Sequence, residues 1–133
     1  MGLFNFLKPK SRPFLNEANF RNSRDTQKHM TPKTLEQLRK IGVNEVSELK
    51  LEYFFYTNTA DKAELLAAEI AKLGYDVQFG VSASDKKLFI ITGWTNKMKM
   101  SDEVVTNWTV QMCDLGYQFD CEFDGWGTTP DQI

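Results

Sequence analysis

From Leu51 to Asp124 the apolar side chains switch between the two-residue period of a strand and the 3.6-residue period of a helix, and that succession constrains the fold most. Leu51-Glu52-Tyr53-Phe54-Phe55-Tyr56 is rich in aromatic residues, which favour strands, and it stops at Thr57-Asn58-Thr59. Ala63, Leu66, Ala67, Ile70 and Leu73 then fall on one helical stripe, with Asn58 or Thr59 as cap and Gly74 as stop. Tyr75, Val77, Phe79 and Val81 alternate with polar or small residues, the pattern of a half-buried strand. Ser84-Asp85-Lys86 turns the chain into Leu88–Trp94, a strand apolar at both parities. Ser101 caps a second helix whose inner face carries Val104, Val105, Trp108, Met112 and Leu115, and Gly116 is its expected end. Tyr117, Phe119, Cys121 and Phe123 alternate with Gln118, Asp120, Glu122 and Asp124, giving a closing strand with one buried and one acidic face. The element order is βαββαβ.

Two helix-crossing units in that order close most simply as an α+β, ferredoxin-like sandwich: a four-stranded antiparallel sheet with both helices on one face. The strands near residues 51–56 and 88–94 belong in its middle, because only they are apolar at both parities, and the two alternating strands belong at its edges. Thr31-Pro32, followed by Leu35, Leu38, Ile41 and Gly42, marks a short additional helix over residues 32–41 with Thr31 as N-cap. Since the two long helices cover one face of the sheet, this third helix is expected on the other, in preference to a second subunit; the sequence does not fix the oligomeric state, and a monomer is favoured. The segment before it is polar at Lys8–Pro13, Asn16–Asn19 and Arg21–Lys28, and reads as a flexible basic arm, 1–30, ahead of one domain, 31–133. Removing residues 1–28 is then expected to leave the melting temperature nearly unchanged. Leu3, Phe4, Phe6 and Leu7 could touch a membrane surface, but a frayed or locally docked terminus explains them more simply, and Phe6 breaks the myristoylation pattern.

The residue types exclude several chemistries. The only histidine, His29, falls in the expected arm, so neither a histidine-based triad nor a two-histidine metal site can be assembled, and no cofactor is implied. Cys113 and Cys121 match no zinc or redox spacing and read as reduced, buried thiols. No apolar run is long enough to span a bilayer, and the cytoplasm is the expected compartment. Residues 1–30 carry six Lys/Arg against two acids while residues 31–133 carry ten against sixteen, so the body is net acidic. Such a body repels phosphates and suits a basic protein surface. The strand Lys87–Trp94 also lacks the basic, Gly-aromatic pattern of RNA-stacking sheets, and direct nucleic-acid binding is not expected.

The most specific segment is Phe123-Asp124-Gly125-Trp126-Gly127-Thr128, where two glycines flank a tryptophan and a tight turn is expected. The ring either seals the edge of the sandwich or is presented to a partner. Here the chain resembles the regulators of ribonuclease E activity B, the RraB-like proteins. The resemblance extends through Thr34–Val43, Leu51–Tyr56 and Ala63–Val77, and covers about residues 31–128. It implies a ferredoxin-like fold and a non-enzymatic inhibitor that binds ribonuclease E and modulates RNA turnover without cutting RNA. Asp120, Glu122, Asp124, Gly125, Trp126 and Gly127 are the candidate partner-binding residues. The competing reading is a small-ligand-sensing ferredoxin-like regulatory domain.

Overall fold

A computed structural model describes residues 12–132. Its elements are α1 (Glu17–Lys40), β1 (Glu48–Leu49), β2 (Glu52–Thr57), α2 (Ala60–Ala71), β3 (Gln78–Val81), β4 (Phe89–Trp94), β5 (Met98–Lys99), α3 (Asp102–Gln118) and β6 (Glu122–Gly127). The chain is of mixed α and β type with antiparallel sheets. The main sheet has the order β3-β4-β2-β6, which puts the two doubly apolar strands in the middle as expected, and every neighbouring pair is antiparallel. A second, two-stranded sheet of β1 and β5, which the sequence reading omits, pairs Glu48 with Lys99 and Leu49 with Met98.

Strand parity organises the core. On β2, Tyr53, Phe55 and Thr57 are fully buried while Glu52, Phe54 and Tyr56 are half-buried, and on β4 the buried pair is Ile91 and Gly93. Ala63, Leu66, Ala67 and Ile70 of α2 and Val105, Trp108, Met112 and Cys113 of α3 share one hydrophobic core with Tyr53, Phe55 and Ile91. Gly93 has no room for a side chain, because a Cβ there would lie 1.8 Å from the Asp76 carbonyl oxygen. That oxygen accepts the Tyr53 hydroxyl at 2.5 Å, satisfying the one polar atom of a buried ring. The expected burial of Phe79 and Val81 on β3 is not found: they remain 45% and 56% exposed at the free edge of the sheet.

The largest correction concerns the start of the chain. The short helix expected over 32–41 is the second half of α1, which begins at Glu17, so the boundary drawn at residue 30 falls inside a helix. Asn16 is the N-cap, its side chain accepting the Asn19 N–H at 2.7 Å, and Glu17 supplies the acidic first turn. Thr31 is not a cap but a buried helical residue, and Pro32 sits in the helix interior. An interior proline typically costs about 3 kcal/mol or more. Tertiary contacts on and just ahead of the N-terminal half offset it: Phe20 stacks on Tyr117 of α3 at 4.1 Å, Arg24 reaches Asp114 at 3.6 Å, and Leu15, before the N-cap, is buried. The expectations for residues 1–11, including the apolar Leu3–Leu7 run, lie outside the described residues.

The third helix is also on a different side from the one expected. Trp126 of β6 is opposite Tyr53, on the buried side of the pleat, and its indole N–H donates to the Thr31 hydroxyl of α1 at 3.3 Å. Leu35 and Leu38 join the same core. All three helices therefore pack on one face, with α1 lying along α3 and β6. Phe54, Tyr56, Ile90 and Trp94 point to the opposite face, are half-buried, and stand outside the core.

Because the first half of α1 is docked, deleting residues 1–28 is now expected to lower the melting temperature by about 10 °C or more, which for a domain of this size is a loss of some kilocalories per mole. Thermal unfolding of the truncated and full chains, followed by circular dichroism, checks this. An unchanged midpoint would mean that the docked half of α1 adds nothing to stability.

Candidate partner-binding surface

The surface is built by the joint between α3 and β6. The closing strand was expected from residue 117, but α3 continues through Gly116 to Gln118. Gly116 is present because α3 approaches β2 closely: a Cβ would lie 2.6 Å from the Cys121 carbonyl oxygen and 2.8 Å from Phe55 Cε1. Beyond the C-cap Phe119, Asp120 takes φ +57°, while Cys121 N–H donates to Gly116 O at 2.8 Å and Asp120 N–H to Tyr117 O at 3.1 Å. Those bonds close helices at a left-handed residue, a position that usually holds glycine and next most readily asparagine or aspartate.

The choice of aspartate has a visible cause. Its carboxylate accepts Phe14 N–H at 2.6 Å, Leu15 N–H at 2.7 Å and the Lys62 ammonium at 2.7 Å. Partial burial works against its charge, but the Lys62 hydrogen bond and the two backbone N–H groups outweigh that and hold the carboxyl below the ordinary aspartate range. Asp120 therefore does not stand on the outer face of a strand, where the alternation places it. It is a clamp between the segment leading into α1, the first turn of α2 and the start of β6.

The other five candidates lie on β6. Glu122 is opposite Tyr56 and so belongs to the outer side of the sheet. Between Phe123, opposite Phe55, and Gly125, opposite Phe54, the register shifts by one residue, so Asp124 is the extra residue of a β-bulge. The turn expected at the Gly-Trp-Gly segment is this bulge within a continuous strand, and Gly125 supports it with φ +134°, which a side chain would strain. Trp126 is half-buried against the core, so its ring closes the gap between β6 and α1 while one side stays accessible. Gly127 ends the strand opposite Glu52.

Glu122, Asp124, Gly125 and Trp126 share a groove with α1. Its first section, about 590 Å³, lies between Asn19, Asn22, Ser23, Thr26 and Gln27 on the helix and Glu122–Asp124 on the strand. A second section, about 320 Å³, continues past Met30 and Thr34 to Trp126. Glu122 and Asp124 have no cation within ion-pairing distance among the described residues. Burial pushes both carboxyls up, and for Glu122 the charge of Asp124 adds to the effect. The α1 wall was not legible in the sequence as a site, although its spacing of neutral polar residues at 19, 22, 23, 26, 27 and 34 is a helical stripe.

Known proteins match the same stretch of chain. The family described as Regulator of ribonuclease activity B matches residues 28–128. The chain belongs to that family. A Regulator of ribonuclease activity B from Xenorhabdus nematophila is 24% identical over 100 residues, covering 74% of this chain and 71% of the relative. The one from Escherichia coli K12 is 24% identical over 106 residues, covering 78% and 77%. The RraB match takes in β6 and the Trp126 segment whole, whereas the first half of α1 precedes it.

The two thiols and the histidine add no chemistry of this kind. Cys113 and Cys121 are free and buried, and burial pushes each thiol up to about 12, which keeps it protonated. His29 is exposed on α1. Among the described residues no three His, Cys, Asp or Glu side chains form a metal-holding group.

Two substitutions separate the roles of this surface. Asp120→Asn keeps a residue that tolerates the left-handed turn but loses the charge, and is expected to cost about 1 to 2 kcal/mol near neutral pH. Because the folded-state pKa of Asp120 is lowered, its contribution is present above the unfolded aspartate pKa and is lost as the pH falls through the folded value. The gap between wild type and variant should therefore close in acid, as read by denaturant unfolding at a series of pH values; a pH-independent gap would contradict the clamp. Trp126→Ala, at a half-buried position, should cost about 2 to 3 kcal/mol, less than a fully buried ring.

Proposed function

We propose that this RraB-family chain is a non-catalytic regulator that binds ribonuclease E, lowers its activity and so alters RNA turnover in the cytoplasm. The observation that carries the reading is the pair Glu122 and Asp124, carboxylates without a cation among the described residues, beside a half-accessible Trp126 in an open groove. Such a surface favours a basic protein partner: the charges steer encounter and the ring offers apolar area. The family description, a regulator of ribonuclease activity, supports a role exerted on an enzyme and not as one. No helix among the described residues is long and apolar enough to cross a membrane, which is compatible with the compartment proposed. The order β3-β4-β2-β6 with helices on one face supports the ferredoxin-like reading, and the docked α1 supports treating residues 12–132 as one folding unit.

A second reading, a small-ligand sensor, has one feature in its favour. An open cleft of about 490 Å³ lies by the Trp94 end of β4, between Lys50, Asp76, Trp94, Lys97, Thr129 and Gln132. Two lysines beside a tryptophan suit an anionic, planar ligand. A thermal-shift screen with nucleotides and aromatic acids separates the readings, since a ligand saturating that cleft raises the melting temperature and a protein-binding surface does not respond.

The direct test is an RNA-cleavage assay with purified ribonuclease E. The wild-type chain should inhibit it, and Glu122→Lys with Asp124→Lys should slow association and reduce its salt dependence while the melting temperature stays within a few degrees. Asp120 is unsuitable for this charge reversal, because its carboxylate holds the fold. Unchanged association by the double reversal would remove the acidic strand from the interface.

A further inference from the structure

The groove has two walls of different chemistry, and together they specify more than an acidic patch does. On the strand side stand Glu122 and Asp124, and among the described residues β6 has only β2 as a strand neighbour, so its other edge lies beside α1. The Ser23 hydroxyl donates to the Phe123 carbonyl at 3.4 Å, and further along the Trp126 indole N–H donates to the Thr31 hydroxyl at 3.3 Å. On the helix side Asn22, Thr26 and Gln27 project into the groove and have no hydrogen-bond partner among the described residues. An amide side chain offers the same donor and acceptor pair as a peptide unit. Charged residues of α1, such as Arg21, Arg24, Asp25 and Lys28, occupy its other faces, which leaves this stripe neutral. At the far end Met30, 48% exposed, and Trp126 give the groove an apolar terminus.

We propose that the groove between α1 and β6 receives an extended segment of a partner protein, with its backbone against Asn22, Thr26 and Gln27, an arginine or lysine between Glu122 and Asp124, and an apolar side chain on Met30 and Trp126. Charge complementarity selects this occupant: among the described residues the only charges on the walls are the two carboxylates, which have no cation within ion-pairing distance, and a basic side chain satisfies both. A second copy of the chain is disfavoured, since it would bring the same acids together. The stripe of Asn22, Thr26 and Gln27 precedes the part of the chain that matches the family, so this wall is carried by residues the family match does not reach. The proposal rests on the reading of the chain as a regulator with a basic protein partner, and adds the site, the conformation of the bound segment and its side-chain order.

The probe is a fluorescent twelve-residue peptide of alternating arginine and serine with one terminal leucine, titrated against the full chain, beside a purified sample of ribonuclease E. Glu122→Gln with Asp124→Asn should weaken peptide binding by about 10-fold and flatten its salt dependence. Asn22→Ala with Gln27→Ala should weaken it by about 5-fold and leave the salt dependence as it was, because neutral hydrogen bonds are lost. Glu52→Gln, on the outer side of the sheet, should change nothing. All of these positions are at least partly exposed, so melting temperatures should match wild type. Peptide binding that is indifferent to both groove pairs, or as sensitive to Glu52→Gln, would overturn the groove. Peptide binding that depends on both groove pairs, in a wild-type chain that does not bind ribonuclease E, would overturn the broader reading and leave the groove assigned.

Discussion

The close approach of α3 to β2 at Gly116 is the constraint on which the rest of this structure depends. With a glycine there, the helix backbone comes down onto Phe55, and Phe55 in turn meets Phe123 at 5.2 Å between ring centroids. Trp108 packs edge-on to the same Phe123 at 5.8 Å, so one aromatic group ties α3, β2 and β6 together. A helix pressed that close must turn sharply to leave the sheet edge free for its own closing strand. Asp120 makes that turn in a left-handed conformation, and its carboxylate collects the start of α1 and Lys62 of α2. The position of β6, the bulge at Asp124 and the groove beside α1 all follow from where that turn releases the chain.

Three helices on one face leave the molecule with two distinct surfaces. One is the α1–β6 groove, acidic and rich in hydrogen-bonding groups. The other is the far side of the sheet, where Phe54, Tyr56, Ile90 and Trp94 form an apolar centre between strands thinned by Gly80, Gly125 and Gly127. Both surfaces include Glu122, which stands at the corner between them. The groove is the more specific of the two because its charges, amides and apolar end are arranged in a fixed order along one direction.

Much of this was legible in the sequence. Apolar residues at both parities of Leu51–Tyr56 and Leu88–Trp94 placed β2 and β4 in the middle, because a central strand needs apolar contacts on either side; of the two caps offered for α2 the structure uses Thr59, and it keeps Ser101 as the cap of α3. Reading failed where tertiary contact overrules a local signal. Pro32 and Thr31 look like a helix start, yet the stacking of Phe20 on Tyr117 and the Asn16 cap carry the helix fifteen residues further back, over a stretch with little apolar periodicity. Gly116 looks like a helix stop and is instead a packing contact, which moved β6 and took Asp120 out of the acidic alternation. The candidate site was thus half visible: the Asp124–Gly127 motif and its acids could be read from the chain, but their facing wall on α1 could not, since a row of Asn, Ser, Thr and Gln carries no signal until a strand edge lies opposite it.

The central claim is that a partner meets this chain at α1 and β6. Hydrogen–deuterium exchange of the full chain with and without ribonuclease E tests it most directly, because exchange reports protection segment by segment. The account predicts added protection of backbone amides over residues 19–34 and 122–127, with β3 and the Lys50–Trp94–Gln132 end of the sheet unchanged. Protection confined to β3, or to the sheet face of Phe54, Tyr56 and Trp94 with α1 untouched, would contradict it.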